Sequence, residues 1–287
     1  MTMRKTLLFL NMLFVVVFTQ RTREVILSSG LISWDHKQLL TQYNAYNVYA
    51  NAGIITASSI LVYEIDIHGN LNQYNTTDPL ISAEQFQMSL QKLGNDGLSS
   101  YPCIYCDATI GYCKNLTDRM EHLYEHKYHF INDTIQRAIK YNWNGYTIDL
   151  EPDQKIDALK LSHFIVEWSN ELTKYNLLLY VWIGTTTVFD INILSESNAN
   201  IRLITMDTYV DDYDSFLDAA SNTLLLSSKP QNIGFGLLTN IYNTSLSETA
   251  LISVSSWANI SMTCSLSIWA SIIPPQWFKG LKNYLSE

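Results

Sequence analysis

Nothing in this chain of 287 residues forms a basic stripe: 18 Lys and Arg stand against 27 Asp and Glu, a formal net charge of -9. That balance argues against a nucleic-acid partner, which needs dense positive charge on one face, and disfavours an anionic membrane surface. No phosphate-cradling Gly loop and no Gly-x-Ser-x-Gly elbow occurs, so neither a nucleotide loop nor a serine-elbow hydrolase is indicated. Beyond the N-terminal segment no apolar stretch is long enough to span a bilayer. Leu172–Ile183 is interrupted by Lys174 and Asn176, and Ser265–Pro275 is too short. Cysteine is scarce: Cys103, Cys106, Cys113 and Cys264. Cys-x2-Cys-x6-Cys lacks a clean fourth ligand, so no zinc site is expected. The His122/His126 pair reads as a solvated helix face, and Asp211, Asp212 and Asp214 as a solvated loop. No metal and no cofactor is expected.

The first 20 residues read as a signal peptide. Arg4 and Lys5 precede a short apolar run, Leu7–Phe18, broken by Asn11. The expectation is a secreted or lysosomal protein, without membrane attachment once the segment is cleaved. Five acceptor sequons, at Asn75, Asn115, Asn132, Asn243 and Asn259, agree with that route and predict a glycoprotein. In an oxidising compartment a disulfide is expected among the first three cysteines, with Cys113 in a loop closing on Cys103 or Cys106, and Cys264 left as a buried thiol.

From residue 21 onward, β-like and helix-like runs alternate. Strand candidates are Glu24–Leu31, Ser58–Ile67, Pro102–Ile110, Gly145–Glu151, Leu177–Gly184, Ile201–Tyr209, Asn232–Leu238 and Met262–Ala270. Helices are expected at His36–Ala52, Ser82–Leu93, Thr117–Tyr141, Lys155–Tyr175, Asp190–Ser197, Tyr213–Ala220, Ser247–Ala258 and Pro275–Leu285. Alternation implies an α/β fold with a parallel sheet. Eight units at this length match a closed (β/α)8 TIM barrel forming a single domain over residues 21–287, with an open doubly wound sheet as the alternative.

The most informative segment is Asn144-Gly-Tyr-Thr-Ile-Asp-Leu-Glu-Pro152. Side chains alternate along a strand, so Thr147, Asp149 and Glu151 share one face and Tyr146, Ile148 and Leu150 the other. Two neighbouring carboxylates at the end of a buried strand disfavour each other's ionisation, which suits a general acid. The alternative is a strand that ends in solvated acids.

This segment resembles the fourth-strand signature of glycoside hydrolase family 18, Asp-Gly-x-Asp-x-Asp-x-Glu. Gly145, Asp149 and Glu151 match, while Asn144 and Thr147 replace the first two acids. Ser58–Leu71 resembles the family's second strand, Asn232-Ile-Gly-Phe-Gly its seventh, and Ser267-Ile-Trp-Ala its eighth. The third strand departs, with Cys106-Asp-Ala-Thr-Ile-Gly111 where the family carries Ser-x-Gly-Gly. The sixth-strand Met-x-Tyr-Asp appears as Met206-Asp-Thr-Tyr209, which puts Asp207 and Tyr209 on one strand face.

The resemblance implies a glycosidase acting on β-1,4-linked N-acetylglucosamine in chitin, its oligomers or the core of N-glycans. Glu151 would be the general acid and Asp149 the partner of the substrate's acetamido group. Tyr209 or Asp207 would bind that group from the opposite wall, Trp269 would floor the subsite, and Thr147 would donate to Asp149. Without acids at 144 and 147, less like-charge pressure on Glu151 is expected. Only Thr239–Ser261 separates the last two strands, too little for an α+β insertion domain, so a shallow groove and endo cleavage are expected of a monomer. The seven Trp and eighteen Tyr also suit stacking on sugar rings. A catalytically inactive carbohydrate-binding lectin on the same barrel is the alternative.

Overall fold

The β-branched and aromatic runs close into a ring. The computed structural model describes residues 23–30, 35–74, 81–94, 97–108, 113–152, 156–184, 188–239, 246–270 and 272–286. The signal segment and the Asn75 and Asn243 sequons lie outside them. Eight strands form the wall: β1 (Glu24–Ser29), β2 (Ala57–Ile65), β5 (Cys103–Asp107), β6 (Gly145–Glu151), β7 (Leu178–Ile183), β8 (Ile201–Thr205), β9 (Ile233–Leu238) and β10 (Ser265–Trp269). Each pairs in parallel with the next, and β1 pairs with both β2 and β10, so the sheet closes and the open alternative is excluded. Two short strands decorate β2: β3 (Leu71–Gln73), antiparallel across a turn, and β4 (Ser99–Ser100), parallel. Among the described residues no insertion domain interrupts the barrel.

The helices are α1 (His36–Asn51), α2 (Ala83–Leu90), α3 (Leu116–Glu125), α4 (Lys127–Tyr141), α5 (Ala158–Thr173), α6 (Ile191–Glu196), α7 (Tyr213–Leu225), α8 (Glu248–Ile260) and α9 (Phe278–Ser286). Most begin where a short oxygen-bearing side chain precedes the helix. Asp35, Asp157, Asp190, Asp212 and Ser247 each accept from a backbone N–H three residues on, and Ser82 forms a full capping box with Gln85. Each cap is worth about 1 kcal/mol. The expected long helix over Thr117–Tyr141 is instead two. At His126 the backbone leaves helical geometry (φ -121°, ψ 22°), and α3 tips onto the β2–β3 turn, where His122 Nδ1 meets the Ile67 carbonyl at 2.8 Å. No Pro or Gly announces that break.

The main core lies between wall and helices. Tyr146, Ile148 and Leu150 of β6 pack outward there, with Trp168 of α5 and Phe130 of α4. The lower part of the barrel interior is filled by Ile26, Ala57, Tyr101, Leu178, Tyr180 and Ile204. Glu24 sits among them, accepting from Tyr101 Oη (2.9 Å), from Tyr180 Oη and from Arg202 Nη1 (2.9 Å). Cys106 is bridged to Cys113 (Cα–Cα 5.2 Å), and Cys103 and Cys264 are buried free thiols. Alternation explains the choice of partner: Cys103 faces the barrel interior while Cys106 faces outward, toward the segment that carries Cys113.

Candidate active site

The C-terminal ends of parallel barrel strands are where the chain leaves the sheet, and that rim gathers the polar side chains. Gly145 starts β6 at φ 149°, where a Cβ would stand 1.8 Å from the Leu178 carbonyl oxygen, so the register with β7 requires glycine. Asn144 joins neighbouring strands: its N–H donates to Ser100 O and its Oδ1 accepts from Ser100 N, both at 2.9 Å. Thr147 faces the interior but does not bond Asp149. Its hydroxyl pairs with Ser59 Oγ at 2.7 Å and reaches Tyr101 O at 3.4 Å, because Ser59 of β2 is the interior hydroxyl facing it.

Asp149 is 5% exposed, and its Oδ1 is buried without a hydrogen-bond partner among the described residues. Glu151 is half-buried at the rim and ends β6 before Pro152. Neither carboxylate joins an ion pair among the described residues. Burial first, then the charges of Glu151 and Asp107, hold Asp149 well above the usual carboxylate range. Glu151 is also raised, by burial and then by Asp107. Both acids are therefore shifted toward their protonated forms, Asp149 from the deeper position.

Around them stands an aromatic wall. Tyr209 does not extend β8, which stops at Thr205. A turn, closed by Tyr209 N–H to Met206 O at 2.9 Å, carries Asp207 and Tyr209 over the rim, so strand alternation does not set their facing. The Tyr209 ring leans on Trp182 (centroids 6.3 Å apart) and fills the space above Gly236, where a Cβ would lie 2.6 Å from the ring. Burial, then Asp149, Glu151 and Cys103, hold its phenol well above its ordinary value. Asp207 shares that turn, near the Gly184 backbone. Trp269 ends β10, edge-on to Trp182 at 6.5 Å, and packs over Leu61, Tyr74, Cys103 and Tyr105.

The structure thus brings Asp149, Glu151, Tyr209 and Trp269 to one mouth and leaves Thr147 below it. Three residues there were not picked out from the sequence. Trp182 of β7 is buried, its Nε1–H unpaired among the described residues. The register that pairs Ile148 with Val181 makes Asp149 and Trp182 the next interior neighbours. Tyr105 and Asp107 of β5 face Asp149 and Glu151 in register. Their signal was present: an acid two places after a Tyr at the end of a strand mirrors the Asp149/Glu151 spacing.

No protein-family model and no curated protein matches the chain. Solved structures do. The chain is similar to a chitinase from Chromobacterium violaceum (TM-score 0.69, 14% identity, 92% of this chain and 99% of that one). It is similar to a class V chitinase from Pseudomonas fluorescens (TM-score 0.68, 12% identity, 92% and 100%). A chitinase-like agglutinin from Robinia pseudoacacia also matches (TM-score 0.64, 11% identity, 89% and 99%). Matches that span almost the whole of both chains leave no large element unaccounted for: this chain has the chitinase-like (β/α)8 barrel fold.

Proposed function

We propose that the protein is a retaining glycosidase that cleaves β-1,4-linked N-acetylglucosamine with the help of the substrate's own acetamido group. One observation carries the reading. Among the described residues the mouth holds a buried acceptor without a donor, Asp149 Oδ1, and a buried donor without an acceptor, Trp182 Nε1, on adjacent strands. Buried polar atoms are nearly always paired, and each orphan costs about 1–3 kcal/mol. An amide offers one N–H and one C=O, and so complements both.

In this scheme the sugar lies on Trp269 with its acetamido N–H donated to Asp149. That donor favours the Asp149 anion, and positive charge growing on the acetamido nitrogen favours it further, so the interaction strengthens toward the transition state. Tyr209 closes the opposite wall. The acetamido carbonyl oxygen attacks the anomeric carbon as Glu151 gives its proton to the departing glycosidic oxygen. This yields an oxazolinium ion and a Glu151 carboxylate. Water then attacks the same carbon, passing its proton to Glu151 and reopening the ring, with net retention. No carboxylate nucleophile is required.

Between β9 and β10 the described residues hold only α8, which supports an open groove and endo cleavage of a long chain or a protein-linked glycan. Secretion through residues 1–20 belongs to the same proposal, and N-terminal sequencing of the protein recovered from medium checks it. Of the described sequons, Asn115 and Asn132 are exposed, whereas Asn259 is buried and donates to Asn283 O.

The test is hydrolysis of a fluorogenic chito-oligosaccharide, beside colloidal chitin and a high-mannose glycoprotein with product masses. Wild type should cleave at least one, and Glu151→Gln should bind but not cleave. A wild-type protein that binds and never cleaves is a lectin, the reading to which the agglutinin neighbour lends support.

A further inference from the structure

With Asn144 and Thr147 in place of acids, β6 brings only Asp149 to the side of Glu151. The neighbouring strand offers a group. Tyr105 and Asp107 of β5 lie on its interior side, and the register sets Tyr105 beside Asp149 and Asp107 beside Glu151. Asp107 is only 4% exposed, and the Tyr105 phenol donates to its Oδ2 at 2.9 Å. The strand end is fixed from several directions. Tyr74 Oη donates to the Tyr105 carbonyl at 2.8 Å, and the Ala108 N–H donates to the Glu151 carbonyl at 2.8 Å. Between them Cys106, on the outward face, is tethered to Cys113.

We propose that Asp107 is a positioning residue for Glu151: its carboxylate, held by Tyr105 on the third barrel strand, stands beside Glu151 in place of the acids missing from the fourth. The inference rests on the glycosidase reading for its use, though not for its measurement. A carboxylate beside Glu151 disfavours a second negative charge, so Glu151 keeps its proton to higher pH. Among the described residues, the titratable groups facing Glu151 are Asp149 on its own strand, Tyr105 and Asp107 from β5, and Tyr209 from the turn after β8. Burial raises Glu151 first and the charge of Asp107 next, while the repulsion between Asp149 and Glu151 weighs on Asp149. β7 contributes Trp182, which does not titrate.

The experiment compares wild type, Asp107→Asn and Asp107→Glu by two readouts. One is the upper limb of the pH dependence of kcat/KM. The other is a 13C-carboxyl NMR titration of glutamate-labelled protein, with Glu151 assigned through Glu151→Gln. Asp107→Asn should lower the Glu151 midpoint by about one pH unit, with the upper limb following, and Asp107→Glu should restore it. A merely structural Asp107 would change activity at every pH and leave the midpoint still. A midpoint in Asp107→Asn that is unmoved or raised overturns the proposal. Should that variant fail to fold, Asp107→Ser should show the same lowered midpoint, and an unmoved or raised one there overturns the proposal equally. If wild type cleaves no substrate, the glycosidase reading falls, while the NMR titration still decides whether Asp107 governs Glu151.

Discussion

The two ends of the barrel interior both bury carboxylates and treat them in opposite ways. At the N-terminal end Glu24 has a partner for each oxygen: Tyr101 on Oε1, Tyr180 and Arg202 on Oε2. Arg202 also donates to Tyr180 Oη at 2.7 Å, so acid, base and phenols form one network. At the C-terminal end Asp149, Glu151 and Asp107 crowd together, and the described residues leave an Asp149 oxygen without a donor and supply Asp149 and Glu151 with no cation. A buried acid that is fully paired holds structure. One left unpaired beside its own kind costs stability, and the cost is sustained where a ligand completes the set.

Four changes probe that contrast. Glu151→Gln at the upper end should cut hydrolysis by about 10²–10⁴-fold, the usual worth of a general acid, with little change in stability. Steady-state rates and a thermal melt side by side check it, and a variant with near wild-type turnover would put the proton donor elsewhere. Arg202→Met at the lower end should do the reverse. It leaves Glu24, still bonded by the two phenols, a buried charge without its counter-ion and should lower stability by about 3–5 kcal/mol in urea unfolding.

Asp149→Asn isolates the cost of the charge: cleavage should collapse while stability rises by about 1–3 kcal/mol at neutral pH. The sign follows from the raised Asp149 pKa. Below an unfolded-state value of about 3.9 the acid is protonated in both states and the variant gains nothing. As pH rises above that value the unfolded chain ionises first, and wild type loses stability relative to the variant until the folded Asp149 ionises too. Melts from pH 3 to 8 read this directly, and a gain that is flat across pH would mean that charge is not its cause. The smallest effect is expected of Trp269→Ala, which removes a stacking face worth roughly 0.5–1.5 kcal/mol. KM should rise up to about tenfold, with kcat less affected.

Much of this was legible along the chain. The β6 run, its alternation and the pairing of Asp149 with Glu151 on one face follow from a period of two, which depends on nothing beyond the strand itself. The alternation of eight strand and helix runs likewise reports which segments are buried on both faces. Residues whose role depends on a neighbouring strand were not legible. Asp107 read only as a departure from a pattern, because nothing local states that it stands beside Glu151. Thr147 was expected to serve Asp149, but the hydroxyl within its reach belongs to Ser59, 88 residues away in sequence. Tyr209 was placed by strand alternation, whereas a turn delivers it. The break at His126 carries no Pro or Gly, and it stands where His122 of α3 meets the Ile67 carbonyl of the β2–β3 turn, a contact between distant segments.

By itself, then, the sequence determined the fold class, the strand that bears the acid pair and the caps that start most of the helices, because propensity, capping and periodicity act over a few residues. Only the tertiary structure decided that Glu24 is satisfied and Asp149 is not, that Cys113 pairs with Cys106, and that Asp107 joins Glu151. Register between strands and closure of the barrel bring together groups that no local rule connects, and the charge on a buried acid depends on everything within a few ångströms of it.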